Sequence, residues 1–371
     1  MNEEVAIPQA RTSLPKITDQ SEVDLREWAI NNGEKPFRAV QLFQWLYLHR
    51  VDGWDEMTNI SKKFLKKASS HFSLQRIPIV HKQEAPDGTV KMLQELNDGH
   101  RIESVLLNHG DHFTVCISTQ VGCAMACKFC LTAKMGLKRN LTPGEIVEQV
   151  LNAQSLLPIG KSLRNIVYMG MGEPFHNYDN TIHSLKIFLN PHGFSFSNRR
   201  ITVSTSGIVP GIERFAKEPD VRVNLAISLN GVTQEAREKL MPVSRRHPLE
   251  DLIQSCRQFP KESRKRITFE YILMRGVTDS MESARKLVAL MHGIKAKVNL
   301  IPYNEHPDLQ YKSPEPETIK KFQQYLLDHG ILATLRISRG QGISAACGQL
   351  ATEVPPRPSD NNGKSDRPGS N

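Results

Sequence analysis

Three cysteines, Cys123, Cys127 and Cys130, fall within eight residues of the stretch VGCAMACKFC. A C-x3-C-x2-C run delivers three thiolates from one short loop, which suits a four-iron cubane whose corners are approached from different directions. One iron then stays uncapped by protein. A permanent electron carrier fills that corner with a fourth cysteine, whereas an open iron can bind a small chelating molecule. Zinc and incidental core cysteines are the competing readings; zinc calls for a fourth ligand that the sequence does not visibly supply.

Other residues of chemical interest sit at strand ends. GMGEP, 170 to 174, offers two glycines that let backbone approach a ligand and a carboxylate, Glu173, able to accept from an ammonium group. A plain turn is its bland alternative. Ser204 in VSTSG, Ser228 in AISLN and Asn304 in PYN recur at the same edge, although each alone reads as a cap or turn residue. Cys347 lies in RGQGISAACGQL, a glycine-rich segment able to bring a thiol to that rim, and Cys116 lies seven residues before the cluster. A lone buried cysteine is normally a small hydrophobe, and Cys256 keeps that reading.

These positions need a scaffold. From residue 113 strands alternate with helices: HFTVCIST, NIVYMG at 165 to 170, RITVST at 200 to 205, RVNLAIS at 222 to 228, RITFEYILM at 266 to 274, KVNLIP at 297 to 302 and ATLRIS at 333 to 338, with helices from Pro143 and near 180 to 189. Such alternation predicts a parallel sheet, doubly wound or curled into a barrel, and in a barrel the strand ends form the catalytic rim. Asp87-Gly88 and Asp98-Gly99 separate β-rich runs and predict a short meander ahead of it. Residues 16 to about 75 read as helical, and with Trp28, Trp45 and Trp54 they are expected to form a small core of their own.

Composition bounds the partners. The chain has 371 residues, 39% hydrophobic, a formal charge of +9 and six cysteines. Few cysteines, half of them clustered, fit metal or redox chemistry in a reducing compartment rather than a disulfide scaffold. The acidic, apolar-poor start and the lack of any run of 18 apolar residues predict no signal peptide or membrane span, hence a cytoplasmic location. Basic charge points to a polyanion. Ser61 is a plausible N-cap for a helix whose Lys62, Lys63, Lys66 and Lys67 share one side, as a solvated face or a phosphate-contacting one; Lys138, Arg139, Arg245 and Arg246 are weaker candidates. The tail from Ala351 has four prolines and no aromatic residue, and disorder is expected there.

C-x3-C-x2-C with Phe129 before the last cysteine is the hallmark of radical S-adenosylmethionine (SAM) enzymes. ESVLLN, CISTQVGCAMACKFC, MGMGEP, ITVSTSG, LAISLN, LIPYN and AACGQL together resemble the RlmN-type adenine C2 methyltransferases of 23S rRNA and tRNA, from about Phe37 to Leu350. The resemblance implies a partial (β/α)6 TIM-like barrel over 101–350, an RNA-binding helical and hairpin domain over 16–100, and flexible ends at 1–15 and 351–371. It implies a [4Fe-4S] cluster on Cys123, Cys127 and Cys130, with SAM on its open iron held by Gly172, Glu173, Ser204, Ser228, Leu229, Asn230 and Asn304. Position 230, often histidine in that family, is asparagine here.

The implied reaction uses two SAM molecules per turnover. Cys347 takes a methyl group from the first; the second is cleaved to a 5'-deoxyadenosyl radical that abstracts hydrogen from the S-methyl group, and the methylene radical adds to C2. Glu103 removes the C2 proton and Cys116 attacks the sulfur of Cys347, freeing the base and leaving a transient disulfide. On residue type alone Glu103 is an exposed strand glutamate; in a closed, desolvated pocket its pKa would rise toward the range of a general base. The partners implied are 23S rRNA, tRNA and an electron donor such as flavodoxin or ferredoxin, with the enzyme a monomer. C8 methylation, as in Cfr-type enzymes, and a non-catalytic iron-sulfur RNA-binding or redox protein are the other readings.

Overall fold

The computed structural model describes residues 14–260, 267–336 and 339–352. Both expected flexible ends lie outside these residues apart from their two innermost positions. Among the described residues no helix is long and apolar enough to cross a membrane.

The helical start is built from α1 (Glu22–Asn31), α2 (Phe37–Gln44), which runs on into a π-helical turn at Trp45–His49, and α3 (Lys62–His71). Ser21 and Asp24 cap α1 reciprocally, and the Ser61 hydroxyl accepts from the N–H of Phe64 to start α3 as expected. Phe64, Leu65 and Ala68 face inward, and Trp28 packs edge-on against Phe72 with ring centroids 5.2 Å apart.

Among the described residues the helical start has no separate small core: its apolar side chains are continuous with the core of the sheet domain. The join is polar as well as apolar. On α5 (Pro143–Ser155) the fully buried Glu148 accepts from Lys16 Nζ at 2.6 Å, from the Thr18 hydroxyl at 2.6 Å and from the Ile77 N–H at 2.8 Å. Periodicity marks a helix but not the neighbour its apolar face will find.

Among the described residues the main sheet has ten strands. β1 (Ile79–Glu84), β2 (Val90–Glu95) and β3 (Arg101–Asn108) form the expected meander, with Gly88 and Gly99 at positive φ in the turns. β2 and β3 pair across residue 100, and β3 continues antiparallel onto β4 (Phe113–Cys116). A two-stranded ribbon of β5 (Gln120–Val121) and β6 (Arg139–Asn140) flanks the cysteine loop, which also carries the short α4 (Leu131–Lys134).

From β4 onward every pairing in the main sheet is parallel: β7 (Leu163–Tyr168), β8 (Ile201–Thr205), β9 (Asn224–Ser228), β10 (Ile267–Leu273), β11 (Ala296–Pro302) and β12 (Ala333–Leu335). Between them lie α5, α6 (Tyr178–Leu189), α7 (Val209–Phe215), α8 (Gln234–Leu240), α9 (Leu249–Gln258), α10 (Met281–Met291) and α11 (Pro316–Asp328). This is the expected radical SAM α/β fold, with six parallel strands, a seventh of three residues, and the meander on its first edge.

Strand alternation divides the residues. Val203, Leu225, Phe269 and Val298 are fully buried or nearly so in the core. Ser204, Ser228 and Glu270, of the opposite parity, line a common cavity. Register sets Ser228 beside Glu270, Glu270 beside Asn299 and Asn299 beside Thr334, so a polar row crosses four strands.

Candidate active site

The cysteine loop leaves β4 through Ile117 to Thr119 and turns at Gly122, where φ is 75° and an added Cβ would lie 1.8 Å from the Gly136 carbonyl oxygen. Only glycine fits there. Ala126 also takes a positive φ of 56°, between the first and second cysteine. Cys127 and Cys130 pack against a small apolar cluster of Phe129, Leu240, Met241, Met274 and Tyr303.

Burial pushes all three thiols up, Cys123 to about 12, and mutual repulsion adds to it. Three crowded, desolvated thiols with nearby Glu173 form a donor set that cations would relieve. Among the described residues no three His, Cys, Asp or Glu side chains converge on one metal ion. A cubane presents a separate iron to each thiolate and does not need the three sulfurs to meet at one point.

All three cysteines open onto one cavity of about 440 Å³. Its wall also carries Cys116, Gly172, Glu173, Ser204, Ser206, Ser228, Asn230, Glu270, Arg336 and Cys347. Seven of the site residues expected from sequence beyond the loop cysteines therefore share a single space with them: Cys116, Gly172, Glu173, Ser204, Ser228, Asn230 and Cys347.

Glu173 is 3% exposed, and burial raises its pKa. Its two oxygens accept from the backbone N–H groups of Phe175 at 3.1 Å and Ser206 at 2.7 Å, which fixes the carboxylate without supplying a cation. A buried, oriented carboxylate facing a cavity suits the ammonium of an amino acid, and the unpartnered buried hydroxyl of Ser206 is a further polar group at the same wall. The residues present thus fit SAM. Gly170 and Gly172 also lie on the cavity wall, and Cβ atoms there would strike Ile117 at 2.7 Å and Gln120 at 2.6 Å, so the close passage of two protein segments already requires glycine at both positions.

Leu229, Asn304 and Glu103 are not on the cavity wall. Leu229 is fully buried, with its N–H donated to the Glu270 carbonyl and its own carbonyl taken by Arg237. Asn304 Nδ2 donates to the Cys347 carbonyl at 3.3 Å. Glu103 is buried on β3, 3.3 Å from Lys91 Nζ, and its Oε2 accepts from the Ala351 N–H at 3.0 Å.

The Cys347 segment reaches the rim by docking beside the cluster loop: the N–H of Leu131 donates to the Gly348 carbonyl at 2.8 Å and the Thr132 hydroxyl to the Leu350 carbonyl at 2.6 Å. Cys116, on β4, is driven to about 12 by burial and next by the charge of Cys347. Cys256 is buried in the core, as expected of a small hydrophobe.

Two arginines escaped the sequence reading. Arg237, 0% exposed, donates through Nη1 to the carbonyls of Ser228 and Leu229 and through Nη2 to that of Ser206, tying the ends of β8 and β9. Burial lowers its pKa to about 10. Arg336 lies just past β12, on the wall with Cys116 and Cys347. Arginine in a helix or after a strand carries no motif, and only the contacts distinguish these two.

The expected basic surface is only partly free. Lys62, Lys63 and Lys66 are exposed, while Lys67 donates to the Asn32 carbonyl. Arg139 is held by both oxygens of Glu145 and by Asp98. Arg245 is loosely paired with Glu238 at 3.9 Å.

Comparison with known proteins agrees with this geometry. Residues 117–288 match the Radical SAM superfamily, and residues 16–74 match the ribosomal RNA large subunit methyltransferase N-terminal domain. The chain is 50% identical to the dual-specificity RNA methyltransferase RlmN of Syntrophotalea carbinolica, over 88% of this chain and 87% of that one. It is 48% identical to the protein of the same name from Desulfosudis oleivorans, over 92% of each. A crystal structure of a radical SAM methyltransferase from Sphaerobacter thermophilus superposes with a TM-score of 0.87 at 43% identity, covering 91% of this chain and all of that one.

Proposed function

The chain belongs to the RlmN family of radical SAM RNA methyltransferases, and from that premise we propose that it methylates C2 of one adenosine in 23S rRNA near the peptidyl transferase centre and of the adenosine beside the tRNA anticodon. The observation that carries this reading is the single cavity onto which the three loop cysteines, Cys116 and Cys347 all open. A non-catalytic iron-sulfur protein has no use for two further cysteines at that wall.

Cys123, Cys127 and Cys130 would hold the [4Fe-4S] cluster, and Glu173, Ser204, Ser228 and Asn230 would line the SAM site with Gly172. Leu229 and Asn304 support it from behind, Leu229 through the backbone and Asn304 through the Cys347 carbonyl. When bound, the reduced cluster and SAM supply the one-electron chemistry that activates a C–H bond.

Adenine C2 is electron-poor and has no lone pair, so polar methyl displacement has no nucleophile there. Cys347 is placed to be one: its thiolate takes the methyl group and presents it at the cavity wall. Once the carbon is joined to C2, Glu103 accepts the C2 proton, and this requires the carboxylate to release one of its two present contacts. The Cys116 thiolate, its own proton released, then attacks the sulfur of Cys347; the S–C bond breaks with its electron pair going to the carbon, which takes up a proton to become the C2 methyl group, and the disulfide left behind is reduced by an external two-electron donor.

The target base must leave its stack to enter the cavity, which favours RNA loops over paired helices. We assign the RNA grip to residues 16–100, with Lys62, Lys63 and Lys66 on its open face. Mass spectrometry of nucleosides from rRNA and tRNA treated with the anaerobically reconstituted enzyme tests the regiochemistry. 2-Methyladenosine is expected in both, and 8-methyladenosine as the only product would reject the proposal in favour of the Cfr-type reaction.

A further inference from the structure

Besides the residues given roles above, the cavity wall carries a charged network that neither the cluster nor the SAM site accounts for. Arg336 follows β12, donates its N–H to the Leu300 carbonyl at 2.9 Å, and places Nη1 3.6 Å from Met169 Sδ. Along the neighbouring strands, Thr334 donates to Asn299 Oδ1 at 2.5 Å and Asn299 Nδ2 donates to Glu270 Oε1 at 3.0 Å. This order fixes the Asn299 amide and leaves Glu270 Oε2, on a residue 5% exposed, with no hydrogen bond. Glu270, Arg336, Cys116 and Cys347 all line the same cavity.

Resting on the roles assigned to Cys116 and Cys347, we propose that Arg336 is the positioning residue for that sulfur pair: its guanidinium, steered by Met169 and counterbalanced by the Asn299-held Glu270, supplies the fixed positive charge against which both thiolates are presented.

Buried thiolates need such a charge. Desolvation disfavours the sulfur anion, and an exchange between two enclosed sulfurs requires at least one to ionise. Of the groups acting on Arg336, the largest effect comes from Cys347, and Glu270 and Cys116 also favour its charged form. At Cys116, on the same wall, Arg336 opposes the burial penalty. A guanidinium is suited to this position because it stays charged when enclosed and its planar fork can serve two neighbours, which a lysine ammonium does less well. Glu270 in turn prevents the arginine from being a lone charge in the barrel floor.

The test compares the cluster-loaded full chain with its R336K, R336Q and R336M variants. Each is treated with iodoacetamide at one fixed pH, and peptide mass spectrometry follows the alkylation rate of Cys347, with core Cys256 as the internal reference. We expect R336M and R336Q to slow Cys347 alkylation by about tenfold, since reactivity follows the thiolate fraction, while R336K recovers most of the rate and Cys256 is unchanged. Equal Cys347 rates in wild type and R336Q, or in R336K and R336Q should R336M fail to fold, overturn the proposal. The underlying reading is tested apart from this: wild-type protein carrying no methyl group on Cys347 rejects the carrier role, whatever the alkylation rates.

Discussion

The backbone N–H of Ala351 donates to Glu103 Oε2 at 3.0 Å, which ties the carboxylate assigned as base to the segment that carries Cys347 four residues earlier. Lys91 holds the other oxygen, Oε1, at 3.3 Å. The base and the methyl carrier are therefore mechanically linked. We expect Glu103→Gln, which keeps an acceptor for Ala351, to load methyl on Cys347 normally yet lose C2 product by about 100-fold or more, the usual worth of a general base. Undiminished product in the nucleoside assay removes Glu103 from the mechanism.

Release of the base is assigned to Cys116. A Cys116→Ala variant is expected to stall with RNA covalently attached to protein, visible as a shifted band on a denaturing gel. A gel showing only free RNA alongside lost activity counts against the release step.

Arg237 closes three carbonyls at the ends of β8 and β9 and has no acidic partner among the described residues. Arg237→Met leaves those buried acceptors unsatisfied, and at roughly 1–3 kcal/mol for each such group the loss is about 3 kcal/mol or more. Denaturant unfolding measures it; a loss below about 1 kcal/mol would contradict the clamp role.

Burial raises the Glu270 carboxylate above its ordinary 4.5. The folded chain then binds more protons than the unfolded one in the window from 4.5 up to the folded value, so this group makes stability fall as pH rises through that window. Glu270→Gln removes the titration and is expected to flatten that part of the stability profile. A profile from urea unfolding that is unchanged in Glu270→Gln would mean the carboxylate is not desolvated.

The exposed lysines of α3 make an electrostatic prediction. Replacing Lys62, Lys63 and Lys66 together by glutamine is expected to weaken RNA binding across sequences and to lower the slope of affinity against salt, by up to about one unit for each phosphate no longer neutralised. Equal slopes for variant and wild type would move the RNA grip elsewhere.

Much of this was legible in the sequence because its signals are local. The C-x3-C-x2-C spacing, the Asp-Gly turns and the run of β-rich segments each specify their own stretch of chain, and the parallel sheet follows from their alternation. Contacts made at a distance were not legible. Nothing near Lys16 or Ile77 announces that both bind Glu148, and the two-residue strands at 120 and 139 are too short to show a period. Arg237 and Arg336 are two among 48 basic residues, and only their contacts separate them from surface charge. Glu103 was expected in a closed pocket; it is buried, but behind the cavity wall and already paired.

The most direct test of the mechanism locates the methyl group before any RNA is added. Cluster-loaded enzyme is incubated anaerobically with SAM, digested, and its cysteine peptides read by mass spectrometry. The methyl-carrier mechanism predicts one methyl group, on Cys347, and no RNA methylation by Cys347→Ala. Methyl on a different residue, or full RNA methylation by Cys347→Ala, would contradict it.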